Sequence, residues 1–291
     1  MSAFDDDDEP EYEEPTDEER VRIAQHFLLN APPGQFADVL RDVQSLVPAG
    51  CLSEAQLGGI CRAYNTKTAR RLEVEEGGAA VLLVPEGEVG GDAGRYLDPA
   101  GRRSVAVDHA AFKATGTEEA AAAEGDDADR AAIEAALRDY AGRQYAGPTT
   151  AAAYAAPAGG GGVVAYVSGE RCSLRNFWSG SWVSRWEVAG GRIKGSVTVR
   201  AHYFEDGNVQ LETKRDVADA ALGGGDVGAA VAAAVAAAED ALQAGLEEMY
   251  GNMSGKTFKS LRRVMPITRQ KMNWNLHEVK LNRTLNTKSA A

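Results

Sequence analysis

The chain has 291 residues, of which 44% are hydrophobic and 25% are charged. This balance is typical of a globular protein with a sizeable core, and no run approaches the roughly 18 consecutive apolar residues of a membrane span. The three cysteines, Cys51, Cys61 and Cys172, form no Cys-x-x-Cys pair, which argues against a disulfide framework or a zinc site and predicts buried free thiols.

The formal net charge of −12 is distributed unevenly. Residues 1–20 hold eleven acidic groups and one arginine, whereas residues 252–291 hold nine basic groups and one acid, Glu278. An acidic body with a basic tail is poorly suited to general nucleic-acid binding, but it suits one acidic surface that meets only the tail. The amino-terminal residues have no signal-peptide character, so we expect a cytoplasmic protein.

The first part of the chain is predicted to be helical after an acidic leader. Residues 1–19 are dense in like charge and are expected to be disordered. Residues 20–67 read as three short helices that form an antiparallel bundle. Thr16 and Glu19 have the spacing of a capping box, and Ser53 begins the third helix. The apolar positions expected along the first helix are Val21, Ile23, Ala24, Phe27 and Leu28.

The middle of the chain changes to strand patterns. Residues 68–113 contain short apolar runs broken by glycine, and the alanine, glycine and acids of residues 114–128 predict a linker loop. Residues 129–222 predict one helix followed by an antiparallel sheet. Its clearest hairpin joins residues 193–204 to 209–213, since polar and apolar residues alternate and Asp206-Gly207 favours a tight turn.

A long amphipathic helix is predicted over residues 223–252, and we expect it to cover one face of the sheet. The pattern Gly223-x-Gly225-x-x-Gly228 precedes it, but the strands before it are joined as hairpins and do not form the βαβ unit that a dinucleotide site needs. The fold class is therefore α+β, with an amino-terminal helical bundle, an antiparallel sheet, a long carboxyl-terminal helix and an amphipathic tail.

Two segments stand out as candidates for function. Residues 175–186, RNFWSGSWVSRW, hold three of the four tryptophans and predict a loop that runs into a strand and is anchored by aromatic packing. Residues 253–291 form a basic segment in which cations alternate with apolar side chains. Such a segment suits docking on an acidic protein or on a phosphoinositide surface. The alternative is an ordinary amphipathic surface helix with no partner. Its candidate binding residues are Lys259, Arg262, Arg263, Arg269, Lys271, Trp274, Leu281 and Leu285.

No arrangement of residues predicts an enzyme. The four histidines have no paired spacing, and the sequence lacks a nucleophile elbow, a His-Glu-x-x-His zinc motif and a phosphate-binding loop. We therefore expect no cofactor.

Four blocks of the chain resemble the alpha subunits of the heterodimeric F-actin capping protein, in the same order and at similar spacing. They are VRIAQHFLLNAPPGQFADVLRDV, RNFWSGSWVSRW, AHYFEDGNVQL and TFKSLRRVMPITRQKMNW. The resemblance implies a sheet that is completed by a beta subunit across an obligate heterodimer. It also implies calcium-independent capping of the barbed end of actin filaments, in which Lys259, Arg263 and Arg269 match the family's actin-binding cations.

The same resemblance implies further partners and leaves alternatives open. Residues 275–291 match the family's mobile carboxyl-terminal extension only poorly. Phosphoinositides and myotrophin-like inhibitors act on this basic surface in the family, and dynactin is a further candidate partner. The alternative functions are a phosphoinositide or membrane-surface module that uses the same cations, and an enzyme with an unrecognised site.

Overall fold

The computed structural model describes residues 14–74, 79–89, 94–120, 128–156, 161–205 and 208–253. The helices are α1 (Asp17–Leu29), α2 (Phe36–Leu46), α3 (Glu54–Lys67), α4 (Ala128–Gln144) and α5 (Val227–Asn252). The strands are β1 (Arg71–Glu73), β2 (Ala80–Leu82), β3 (Arg95–Asp98), β4 (Arg103–Asp108), β5 (Lys113–Glu119), β6 (Thr149–Ala155), β7 (Val163–Ser173), β8 (Trp178–Ala189), β9 (Arg192–Tyr203) and β10 (Val209–Ala221). This arrangement confirms the α+β class and the long carboxyl-terminal helix.

Capping boxes start α1 and α3, as their sequences predict. The Thr16 hydroxyl accepts a hydrogen bond from the Glu19 amide at 3.3 Å, and the Glu19 carboxylate accepts one from the Thr16 amide at 2.9 Å. Ser53 and Gln56 repeat the arrangement at α3. Residues 17–19, which composition assigned to the disordered leader, therefore form the first turn of α1. Their carboxylates lie at the positive end of the helix dipole.

The three amino-terminal helices share one apolar core. Phe36 stacks on Tyr64 with ring centroids 4.3 Å apart, and the core also contains Ala24, Leu28, Val43 and Ile60. The predicted stripe of α1 is buried only in part. Ile23 and Phe27 remain 50% and 57% exposed, because α2 and α3 cover the face that carries Ala24 and Leu28.

Two small antiparallel sheets follow the bundle: β1 pairs with β2, and β4 lies between β3 and β5. The prediction of a linker over residues 114–128 is wrong for residues 114–119, because they belong to β5 and pair with β4. This edge strand is held by backbone hydrogen bonds to β4. Its side chains are small and mostly exposed, so the sequence shows no apolar pattern that would predict a strand. Residues 121–127 lie outside the described part of the chain.

A partly buried polar network ties α3 to the three-stranded sheet. Arg62 makes a forked ion pair with Glu88 at 2.6 and 2.7 Å, and Glu88 accepts a hydrogen bond from the Tyr96 hydroxyl at 2.9 Å. His109 lies between Asn65, which donates to its Nδ1 at 3.2 Å, and the Tyr96 hydroxyl, 3.2 Å from its Nε2. The network orients the small sheet on the bundle.

The main sheet has the strand order β10-β9-β8-β7-β6, and every neighbouring pair is antiparallel. The predicted hairpin is confirmed: Tyr203 of β9 pairs with Val209 of β10. Asp206 and Gly207, the predicted turn residues, lie outside the described residues. Strand β10 continues to Ala221, eight residues past the predicted end at Thr213.

Helix α4 packs on β6 and β7, so it covers this part of the sheet. Its buried face carries Ile133, Leu137 and Tyr140, which agrees with the sequence pattern. The start of α5 lies close to α4, because a Cβ on Gly228 would stand 2.5 Å from the carbonyl oxygen of Ala132. The chain divides into two compact units after Val235, and the second unit is described only as the rest of α5.

Helix α5 is long and apolar enough to span a membrane by length and composition alone. Alanine supplies most of that apolar character, whereas Glu239 and Asp240 stand near the middle of the helix. An aspartate at the centre of a membrane helix costs about 2.5–3.5 kcal/mol on insertion. In α5, Val231 and Val235 are fully buried, as is typical of a helix that packs against the rest of a protein.

Candidate functional site: an open sheet edge and a basic segment

The two edges of the main sheet differ in how they are covered. Strand β6 lies against α4 and β2, and most of its side chains are buried. Strand β10 is mostly exposed along its thirteen residues, and no strand in the described part of the chain pairs with its outer edge. A long strand edge with free backbone groups is a template for pairing with another chain.

The regular part of this open edge is long. Residues Val209 to Val217 pair with β9 without interruption, and a register shift occurs only between Val217 and Ala220. Nine residues of antiparallel strand extend over about 30 Å. The edge therefore offers enough backbone for a full strand of a partner, and the bulge marks the end of the usable stretch.

The side chains of β10 alternate between a partly apolar face and a charged face of the strand. One face carries the half-buried Leu211, Thr213 and Val217. The opposite face is charged: Glu212 lies 3.4 Å from the buried Arg200, and the exposed Lys214 lies 3.4 Å from Asp216. An exposed ion pair such as Lys214–Asp216 contributes little to stability. A helix or strand that packs on the apolar face of β10 would therefore bury more apolar surface than one that packs on the charged face.

Exposed apolar side chains gather where the open edge begins. Val209 is 62% exposed, and its cross-strand neighbour Tyr203 is 44% exposed. In the adjacent turn Phe177 has a left-handed backbone, with φ of 59°, and its ring meets Phe204 edge-on at 5.7 Å. A bulky residue in this conformation costs about 1–3 kcal/mol, which the surroundings must offset. A backbone hydrogen bond of 2.9 Å from the Phe204 amide to the Phe177 carbonyl ties the two turns together.

The helical bundle holds the opposite face of the same strands. Gln35 lies 2.7 Å from His202 Nδ1 and donates to Ser179 at 3.2 Å, while Arg200 donates to the carbonyl of Ala31 at 2.8 Å. Each bond joins residues far apart in sequence. The bundle therefore braces β8 and β9, and through them the open edge.

The tryptophans of residues 175–186 all lie in β8, which follows the short turn Leu174–Asn176, as the prediction of a loop running into a strand requires. Trp186 is fully buried, and Trp182 meets Tyr145 edge-on at 6.5 Å. The Arg171 guanidinium lies 5.6 Å from the ring centre of Trp178. The predicted anchoring role agrees with these contacts. Residues four apart lie on one face of a strand as they do on a helix, so the tryptophan spacing alone does not separate the two structures.

Nothing in the described residues assembles a reactive centre. No group of three or more His, Cys, Asp or Glu side chains among them could hold a metal ion. The strand before Gly223, β10, is antiparallel to β9, so the glycine pattern does not open a dinucleotide site. The three cysteines are free, although Cys172 is exposed and Cys51 is half-buried, so the expectation of buried thiols holds only for Cys61.

The predicted binding residues all follow α5 and lie outside the described residues. They are Lys259, Arg262, Arg263, Arg269, Lys271, Trp274, Leu281 and Leu285. Their grouping into one surface stays a prediction. The open edge of β10 is the feature that sequence patterns did not place, although the alternation of Leu211 and Thr213 with polar neighbours continues to Val217 and could have extended the strand.

Comparison with known proteins gives one consistent result. The family model described as F-actin capping protein alpha subunit matches residues 24–284. The F-actin-capping protein subunit alpha of Dictyostelium discoideum is 33% identical over 269 residues, which cover 89% of this chain and 94% of that protein. The protein of the same name from Caenorhabditis elegans is 30% identical over 275 residues, with the same coverage.

A solved structure shares the fold. The homodimeric actin capping protein alpha subunit from Plasmodium berghei matches with a TM-score of 0.68 and 21% sequence identity. The match covers 86% of this chain and 98% of that one. At this identity the likeness establishes the fold alone.

Proposed function

Because this chain belongs to the F-actin capping protein alpha-subunit family, we propose that it forms one half of a heterodimer that binds the barbed end of actin filaments and blocks the addition and loss of subunits. The family is one of actin-binding proteins, so the chain is a binding protein and not an enzyme. We place it in the cytoplasm, at the actin cytoskeleton.

The observation that carries the pairing proposal is the open edge of β10. A capping protein beta subunit would add a strand along residues 209–217 and continue the sheet across both chains. Main-chain hydrogen bonds would provide affinity, and side chains on alternate positions would provide specificity. The apolar face with Leu211 and Val217 would gain a second layer in the same event.

A second copy of this chain is the other candidate for that edge. The Plasmodium berghei relative is described as homodimeric, so pairing between two like subunits is open to the fold. Co-expression with and without a beta subunit, followed by light scattering, separates the two assemblies. A soluble one-to-one complex supports the heterodimer, whereas a stable dimer of this chain that excludes the beta subunit contradicts it.

Pairing can be tested at the edge itself. Val217→Pro places a ring on the half-buried face and removes one backbone amide from β10. We expect yield of the two-chain complex to fall. Ala221→Pro, beyond the bulge, is the matched control and should leave assembly unchanged. Equal assembly of both variants would show that the partner binds elsewhere.

Filament binding is assigned to the basic segment. Lys259, Arg263 and Arg269 would face the acidic surface of actin, where attraction speeds encounter over a screening length of about 8 Å at physiological salt. Apolar neighbours such as Trp274, Leu281 and Leu285 would slow dissociation. Phosphoinositides, myotrophin-like inhibitors and dynactin remain candidate regulators of the same cations.

The direct test is growth of actin from seeds in the presence of the purified two-chain complex. We expect barbed-end growth to stop at substoichiometric complex, while pointed-end growth continues. Liposome binding without any effect on filament growth would instead support the membrane-surface alternative. No effect on either ligand would contradict both.

A further inference from the structure

A cavity of about 300 Å³ lies between the end of α4, the start of β6 and the hairpin of β1 and β2. Two arginines, Arg71 and Arg138, line it together with the hydroxyls of Thr149 and Thr150. The remaining walls are alanine and glycine, which leave the space open. Among the described residues that line the cavity, none carries a carboxylate.

Both guanidiniums are held in place. Arg71 donates from Nε to the Thr150 hydroxyl at 3.0 Å and from Nη1 to Glu73 at 2.6 Å. Arg138 donates from Nε to the carbonyl of Ala151 at 3.0 Å, and its Nη2 lies 3.0 Å from a Glu134 carboxylate oxygen. These bonds orient the side chains without using all of their donors.

The unused donors suit a doubly charged oxyanion. Among the described residues, no hydrogen bond engages Arg71 Nη2 or Arg138 Nη1. Thr150 accepts from Arg71, so its own hydrogen is free to be donated. Arginine forks match the oxygens of a phosphate group in geometry and charge. We propose that this cavity binds a phosphate monoester small enough for its volume.

One opposing effect is present at this site. The cavity borders the carboxyl end of α4, where the helix dipole places about half a negative charge. The two guanidiniums oppose that partial charge, but Glu73 pairs with Arg71, and Glu134 and Asp98 lie 3.0 and 3.7 Å from Arg138 Nη2. Attraction therefore depends on the unused donors more than on net charge, so binding should be weak, and it should weaken further as salt is raised.

Gly142 provides a sharp test of the site. It lines the cavity, and a Cβ built on it would meet no atom within 4 Å, so a longer side chain fits there. Glycine is also the weakest residue for the interior of a helix apart from proline, so replacing it should not unfold α4. Gly142→Glu introduces a carboxylate, while Gly142→Gln adds the same shape without charge.

The measurement is phosphorus NMR line broadening of inorganic phosphate and of glycerol 3-phosphate, with the full chain in whichever complex it purifies. Chloride holds the ionic strength constant, and the line widths without protein provide the background. We expect Gly142→Glu to weaken binding at least tenfold and Gly142→Gln to weaken it less. Arg138→Met should also lose at least tenfold, whereas Arg143→Met, an exposed change on the same helix, should lose nothing.

Vesicles of phosphatidylcholine with phosphatidic acid form a second arm. If only the free ester binds, the ligand of the cavity is a soluble phosphate ester. If the vesicles bind and Gly142→Glu abolishes that binding, the ligand is a lipid headgroup. The proposal is overturned if neither the phosphate esters nor the vesicles bind above the background measured without protein. It is also overturned if Gly142→Glu, Arg138→Met and the unaltered chain bind equally. Filament capping is not a readout here, so this result stands apart from the proposed function.

Discussion

The indole of Trp186 lies over the backbone of Gly195 on the neighbouring strand. A Cβ added to Gly195 would collide with the carbonyl oxygen of Arg185 and would stand 2.5 Å from the Cε3 atom of the indole, closer than such atoms approach. The two residues are direct partners between β8 and β9, and Trp186 is fully buried. The glycine is therefore required where a bulky ring fills the space above a strand.

Gly195→Ala should destabilise the protein by about 1–3 kcal/mol, because the ring or the strand must move to admit the methyl group. Denaturant unfolding would measure the loss. Gly180→Ala on β8 is the control, since its Cβ would meet only an ordinary contact at 3.5 Å. If both variants cost the same, the close approach of Trp186 to Gly195 is not what restricts the position.

Two glycines of α5 should respond in opposite directions. Gly228→Ala should lower the free energy of unfolding by about 1–3 kcal/mol, because the new methyl would collide with the Ala132 carbonyl on α4. Gly245→Ala, which meets nothing within 4 Å, should raise it by about 0.5–1 kcal/mol through helix propensity. Stabilisation by Gly228→Ala would show that α5 does not begin against α4.

Acid should weaken the contact between α3 and the small sheet through His109. Burial, reinforced by the charge of Arg62, lowers the pKa of His109, whereas Glu88 and Asp108 act in the opposite direction. The unfolded chain therefore binds a proton first as the pH falls. Stability is fully present above the unfolded pKa of about 6.5 and declines below it, by at most about 1.4 kcal/mol per pH unit, until the lowered folded value is reached.

His109→Gln removes this titration, although the loss of hydrogen bonds should also lower stability at pH 7.5. The informative quantity is the slope of unfolding free energy against pH between 7 and 5.5. We expect a shallower slope in the variant than in the unaltered chain. Parallel slopes would mean that His109 is not held neutral by its surroundings.

Local signals predicted the local structure well. The capping box of Thr16 and Glu19, the start of α3 at Ser53 and the hairpin of β9 and β10 each depend on a few neighbouring residues. The exposure of Ile23 and Phe27 could not be predicted in this way, since helical spacing does not say which of two adjacent apolar faces meets the core. The same limit applies to Trp186, whose spacing fits a helix and a strand equally.

Of the two parts of the candidate site, only one could be predicted from the sequence. The basic segment was visible in composition, since nine cations stand among residues 252–291. The open edge of β10 was not, because an edge is defined by the absence of a neighbouring strand, and beyond Thr213 only Val217 stands out among charged residues and alanines. Strand β5 was predicted as a linker over residues 114–119, because it too is an edge strand with mostly exposed side chains.

The central claim is that cations after α5 hold the complex on the barbed end, and Arg263→Ala tests it most directly. Removal of a central interface arginine typically costs about 2–4 kcal/mol, so capping in a seeded elongation assay should weaken at least tenfold with thermal stability unchanged. Arg143→Ala, an exposed residue of α4, removes the same charge and should cap normally. Undiminished capping by Arg263→Ala would contradict the account.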